Sequence, residues 1–175
     1  MPSLRDELRR HLKGRVGLVG IGNPDCGDDA WGLRLAEAVH DLGYPDVILA
    51  ERTPERWAER LARGGYQTLV FLDAVRMGAS PGDVVFLKGG EIGARYPQVS
   101  THKLSLGTIA RLIETLAPTR VFLLGVQPQA VDYGAQLSAP VQATLEVLRD
   151  LLVELLPIGS KPLAVVDPGR AFPYD

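Results

Sequence analysis

Two carboxylates and one imidazole stand out as groups whose types can do chemistry together: Asp29, Asp73 and His102. Asp29 ends the run Gly20-Ile21-Gly22-Asn23-Pro24-Asp25-Cys26-Gly27-Asp28-Asp29, which follows a short apolar stretch and precedes a helical pattern. Asp73 follows the apolar Val70-Phe71-Leu72, and a carboxylate closing a buried strand is costly to desolvate without a partner. Its plainer role is to cap a loop amide or to pair with Arg76. His102 lies in Val99-Ser100-Thr101-His102-Lys103-Leu104, just before a helix, where the plainer role is a loop hydrogen bond. The other two histidines, His11 and His40, sit in polar helical contexts. Two hard oxygens and an imidazole, if they converge, hold a divalent transition metal with open positions. Such a metal polarises a carbonyl and lowers the pKa of bound water. Asp28 and Asp29 are adjacent, so one of them can cap the following helix and leave the other as a ligand.

Other chemistries are weaker at the same residues. Strand, glycine turn and helix also open a dinucleotide-binding fold, whose fingerprint G-x-G-x-x-G needs a third glycine for close helix packing. Asp25 occupies that position, and Asp25, Asp28 and Asp29 would repel a pyrophosphate. The loop suits a cation or a proton instead. Cys26, helped by His102, has the makings of a thiolate nucleophile, but the carboxylates around it oppose thiolate formation. Ser100 and Ser105 lie near His102, yet no G-x-S-x-G elbow accompanies them.

The composition bounds the rest. A chain of 175 residues with 46% hydrophobic residues suits one globular domain. A formal net charge of −2 argues against nucleic acid or an anionic membrane as the main partner. With a single cysteine there is no intrachain disulfide and no zinc cage of cysteines. No transmembrane-length or leader-like apolar segment is present, so a cytoplasmic protein is expected.

The elements that position these groups can be read in order. Residues 1–14 are a polar lead-in, helical from about Leu4. Strands are expected at 16–20, 47–50, 68–72, 84–87 and 120–126, and helices at 30–42, 54–63, 105–117 and 139–156. Trp31, Leu35, Val39 and Leu42 form one face of the first of these helices, and Gly43 ends it. The link between Asp73 and Val84 is too short for a parallel crossover, so the fourth strand should be antiparallel. Residues 88–101 read as an irregular loop. The expected fold is a three-layer α/β/α sandwich with a five-stranded mixed, mostly parallel sheet. One domain covers residues 1–156, and 157–175 form a C-terminal tail. In such folds the site lies outside the carboxyl ends of the strands, the edge to which Asp29 and Asp73 belong.

Several fragments carry a family resemblance: Gly20-Ile21-Gly22-Asn23 with Gly27-Asp28-Asp29, Phe71-Leu72-Asp73-Ala74, Pro81-Gly82-Asp83, Ser100-Thr101-His102-Lys103-Leu104 and Gly125-Val126-Gln127-Pro128. In this order the chain resembles the [NiFe]-hydrogenase maturation proteases, from about Val16 to Leu156. The resemblance implies an endopeptidase that removes the C-terminal extension of a nickel-loaded hydrogenase large-subunit precursor. It implies that Asp29, Asp73 and His102 are both the metal-contacting and the catalytic set. It also implies no tightly bound cofactor: nickel is presented by the substrate, and other divalent metals can enter the site in vitro. The expected partner is that precursor, met by a monomer. The alternatives are a non-catalytic chaperone for a maturing subunit and a small-molecule hydrolase on the same fold. Two departures from the family pattern stand out. Ala30-Trp31 follows the acidic pair where the family often has glycine. Glu51-Arg52-Thr53 stands where it often has a Gly-Gly-Ser/Thr turn.

Overall fold

The apolar runs become the strands of one five-stranded sheet, ordered β2-β1-β3-β5-β4. The computed structural model describes residues 1–95 and 105–158. The strands are β1 (Val16–Ile21), β2 (Val47–Glu51), β3 (Thr68–Ala74), β4 (Val84–Lys88) and β5 (Arg120–Val126). The helices are α1 (Leu4–His11), α2 (Trp31–Asp41), α3 (Ala58–Arg63), α4 (Gly89–Arg95), α5 (Leu106–Leu116) and α6 (Ala139–Leu155). β1 pairs in parallel with β2 and β3, and β3 pairs in parallel with β5. β4 runs antiparallel to β5, as its short link to β3 requires.

Alternation along a strand sends successive side chains to opposite faces, and the central strand β3 shows what this does to the core. Leu69 and Phe71 join one apolar cluster with Leu61 of α3 and Ile109 and Ile113 of α5. Val70 and Leu72 join the other, with Trp31, Leu35 and Val39 of α2 and Val141, Leu145, Leu148 and Leu152 of α6. All these strand residues are fully buried, so β3 has no solvent face. A sheet buried on both sides is why its strands read as continuous apolar runs rather than alternating ones.

The structure corrects several expected details. Residues 89–95, expected to be irregular, form α4. Gly89, Gly90 and Gly93 interrupt any helical stripe, but Ile92 is buried and Glu91 Oε2 accepts from Lys88 N–H at 2.8 Å, securing the first turn. Leu42 does not share the buried face of α2; it lies beyond the helix and is 51% exposed. α2 and α3 each follow a 3-10 turn, Gly27–Ala30 before α2 and Pro54–Trp57 before α3. β3 extends through Asp73 to Ala74, so Asp73 sits within the ladder, paired in register with Gly125. The expected tail and the region around His102 lie outside the described residues beyond Ile158 and at 96–104.

Candidate functional site

β1 delivers its loop to the carboxyl edge of the sheet at the level of Asp73, because Gly20 of β1 pairs with Leu72 of β3. Two glycines let α2 lie against this edge. A Cβ on Gly20 would stand 3.1 Å from the Gly32 carbonyl oxygen and from Leu33 Cα. A Cβ on Gly32 would stand 1.9 Å from the Leu72 carbonyl oxygen, so only a bare backbone fits. The first turn of α2, and the 3-10 turn carrying Asp29, are thereby pressed onto the end of β3.

The loop itself turns at Gly22, whose φ of 136° is open to glycine and strained for other residues. A Cβ there would fall 1.8 Å from the Asp29 carbonyl oxygen. The chain folds back so that Asn23 N–H donates to Asp29 Oδ2 at 2.8 Å. Asn23 Oδ1 in turn accepts from Asp25 N–H at 3.0 Å. Oδ1 of Asp29 has no hydrogen-bond partner among the described residues. One oxygen of this half-buried carboxylate is thus anchored and the other is uncommitted. The arrangement leaves the glycine turn without the free amides that cradle a phosphate, because the Asn23 N–H is taken by a carboxylate of the same loop. Asp28 N–H and Asp29 N–H are likewise engaged, by the carbonyls of Ala130 and Cys26.

Asp73 is buried, with 6% of its surface exposed, and it makes polar contacts within the chain. The backbone that follows it is stitched to the end of β5. Val75 N–H donates to the Val126 carbonyl at 2.8 Å. Gln127 Oε1 accepts from Met77 N–H at 2.8 Å and from Ala79 N–H at 3.3 Å. Gln127 N–H donates to the Asp83 carbonyl, and Gly82 N–H to the Gln127 carbonyl. Two sequence fragments noted separately, Pro81-Gly82-Asp83 and Gln127-Pro128, therefore meet as one brace behind Asp73.

Neither aspartate of the adjacent pair caps α2; Ala30 holds that position and makes no side-chain cap. Asp28 is instead fully buried. Its carboxylate accepts from Gln129 N–H at 2.8 Å, Ala130 N–H at 3.1 Å, Ser138 N–H at 2.7 Å and the Ser138 hydroxyl at 2.8 Å. Burial pushes its pKa up, but these four donors outweigh burial and hold the carboxyl below its ordinary value. Gly134 N–H donates to the Asp25 carbonyl at 2.7 Å, and a Cβ on Gly27 would stand 2.8 Å from the Ala130 oxygen. Asp28 thus straps the loop after β5 onto the loop after β1. Sequence reasoning saw two acids and one cap; it missed the strap because its donors lie more than a hundred positions away.

Of the three predicted site residues, the structure brings Asp29 and Asp73 to one edge of the sheet. His102 and Ser100 lie outside the described residues. Ser105 is the N-cap of α5, accepting from Thr108 N–H, which is a structural role. Cys26 is a free, half-buried thiol in the same loop. Among the described residues, no three His, Cys, Asp or Glu side chains converge as a metal site. No helix there is long and apolar enough to cross a membrane.

The profile of the hydrogenase maturation protease family, HycI, matches residues 34–155. The chain is 26% identical over 169 residues to the hydrogenase expression/formation protein HupD of Rhizobium leguminosarum bv. viciae, covering 91% of this chain and 82% of that one. It is 26% identical over 157 residues to the hydrogenase 2 maturation protease of Escherichia coli, covering 82% of this chain and 96% of that one. The fold is similar to the crystal structure of the [NiFe] hydrogenase maturation protease HycI of Thermococcus kodakarensis. That match has a TM-score of 0.75 and 28% identity, and it covers 85% of this chain and 97% of the other.

Proposed function

Because the chain belongs to the hydrogenase maturation protease family, we propose that its two edge carboxylates meet nickel carried in by a hydrogenase large-subunit precursor. The protein is an endopeptidase, a hydrolase acting on peptide bonds. The bond it cuts, on this reading, releases the C-terminal extension of the precursor, and the nickel belongs to the substrate. Cleavage takes place in the cytoplasm, where the precursor matures.

The observation that carries the reading is the state of Asp29. Its Oδ2 is held by Asn23 N–H and its Oδ1 is uncommitted among the described residues. A carboxylate fixed by one oxygen presents the other with little entropy left to lose on meeting a cation. Asp73 supplies the second hard oxygen donor from a strand braced on both sides. His102, from the segment before α5, is the proposed third contact and the softer donor that suits nickel. The chain's own residues orient the substrate metal beside the scissile peptide. A metal so placed polarises the carbonyl or lowers the pKa of the attacking water. Asp29 or Asp73 receives the proton from that water as general base.

The test incubates the protein with nickel-loaded and nickel-free precursor and follows the mass shift of the large subunit. Cleavage of the loaded form alone supports the reading, whereas equal cleavage of both removes nickel from it. Asp29→Asn keeps an oxygen for Asn23 N–H but lacks the charge. Full activity in that variant removes Asp29 from the site.

A further inference from the structure

In the turn after β1, the backbone N–H of Asn23 holds Asp29 Oδ2 at 2.8 Å, its carbonyl accepts from Cys26 N–H at 3.3 Å, and its side-chain Oδ1 accepts from Asp25 N–H at 3.0 Å. The last bond settles which way the side chain faces, because an N–H donor can be met only by the amide oxygen. The amide nitrogen, Nδ2, donates to nothing among the described residues, although Asn23 is half-buried. Its neighbours have no such group to spare. Gly22 N–H donates to the Glu51 carbonyl at 2.9 Å, and Pro24 has no N–H. Asp25, Cys26, Asp28 and Asp29 spend theirs on Asn23 Oδ1 and on the carbonyls of Asn23, Ala130 and Cys26. Gly27 is buried against Ala130, and the Cys26 thiol is a weak donor. Asp29 and Asp73, when ionised, accept hydrogen bonds and donate none. The strong donor left over in this loop is therefore the Asn23 amide, on the residue whose backbone anchors the Asp29 carboxylate.

We propose that Asn23 is a further catalytic residue, its Nδ2–H donating to the carbonyl oxygen of the scissile peptide as negative charge builds there. This rests on the endopeptidase reading above. Water adds to the carbonyl carbon, the π pair of the C=O bond moves onto its oxygen, and a carboxylate takes the proton that the water loses. The Asn23 amide meets the oxyanion. When the C–N bond breaks, the C=O bond re-forms and the leaving nitrogen takes the proton back from the carboxyl group. The acids that serve as general base repel the oxyanion, so the site needs a donor that carries no negative charge. The bond from Asp25 N–H fixes the amide before the substrate arrives, and a donor held in place needs no reorganisation as the charge develops.

The experiment measures kcat and KM on the nickel-loaded precursor, with melting temperatures, for wild type, Asn23→Asp and Asn23→Ser. Both variants keep a side-chain oxygen for Asp25 N–H and the backbone N–H for Asp29, and neither has the amide. In each, kcat falls about 100-fold while KM changes by less than about twofold, the mark of a contact made in the transition state alone. The melting temperature stays within about 2 °C of wild type, because the bonds of the turn survive. Asn23→Asp adds a charge that Asn23→Ser lacks, so a loss common to both belongs to the missing donor. A loss confined to Asn23→Asp, or a rise in KM with kcat held, overturns the proposal. A fall in kcat that comes only with a drop of more than about 5 °C in melting temperature assigns the effect to the fold of the turn and overturns it too. All these outcomes leave the endopeptidase reading intact, whereas failure of the wild type to cut the precursor overturns both.

Discussion

Replacing Asp28 with Asn tests whether one buried carboxylate holds the two site loops together. The wild-type side chain is fully buried and accepts four hydrogen bonds: Ser138 N–H on Oδ1, and Gln129 N–H, Ala130 N–H and the Ser138 hydroxyl on Oδ2. Asparagine has one acceptor oxygen. Turned to keep the Oδ2 donors, it aims its amide at Ser138 N–H, donor against donor. One charge-assisted bond is lost, one buried N–H is orphaned, and the others weaken to neutral bonds. With charged acceptors worth about 1.5–3 kcal/mol and neutral ones about 1 kcal/mol, and some saving from not burying a charge, the net cost is about 3 kcal/mol. For a chain of this size that lowers the melting temperature by about 6–12 °C. Urea unfolding at neutral pH gives the energy, and hydrogen exchange should lose protection first at Gln129, Ala130 and Ser138. A pH series adds a second check. The folded carboxyl is held below its ordinary value, so the unfolded chain takes up its proton first as pH falls. The Asp28 contribution is therefore present above about pH 3.8 and fades below it, where wild type and variant should converge. A loss under about 1 kcal/mol at neutral pH, or unchanged protection at those amides, would refute the strap.

Gly22→Ala should cost more than about 3 kcal/mol and abolish cleavage, because its Cβ would meet the Asp29 carbonyl at 1.8 Å; a folded, active variant would mean the loop has another conformation. Gln127→Ala removes the acceptor for Met77 and Ala79 N–H, and thermal unfolding should show a loss of about 2 kcal/mol together with weaker cleavage, since the brace behind Asp73 goes with it. His11 is buried against Phe122, with ring centroids 5.0 Å apart. Burial first, then Arg120, holds its pKa below the ordinary value, against the pull of Glu7. The unfolded chain thus binds the proton more readily, and stability should fall as pH drops below about 6.5. His11→Phe should flatten the melting temperature between about pH 7 and about pH 5, and an equally steep decline in that variant would assign the effect elsewhere.

Local pattern was enough for most of the sheet. Arg120–Val126 is a strand with the ends its apolar run suggests, and the short 74–84 link already forced the one antiparallel strand. Both follow from short-range rules: an apolar run must be buried, and a short link cannot make a crossover. The same rules put Asp29 and Asp73 at one edge, since Asp29 lies in the loop after β1 and Asp73 in the last residues of β3, two parallel strands. Where glycines broke the stripe, as in Gly89–Arg95, local pattern failed and burial of Ile92 supplied what propensity did not.

The division of labour between Asp28 and Asp29 lies beyond any local rule. The two are chemically identical neighbours, and either can cap a helix or bind a cation. Their roles separate only because the chain returns after β5, bringing the amides of Gln129, Ala130 and Ser138 to one carboxylate while Asn23 N–H takes one oxygen of the other. A hydrogen bond is decided by a few tenths of an ångström and by direction, and neither is written in the order of residues. The left-handed backbone at Glu51, φ 52°, is of the same kind: it coincides with the register shift between β1 and β2, and no property of Glu-Arg-Thr announces it.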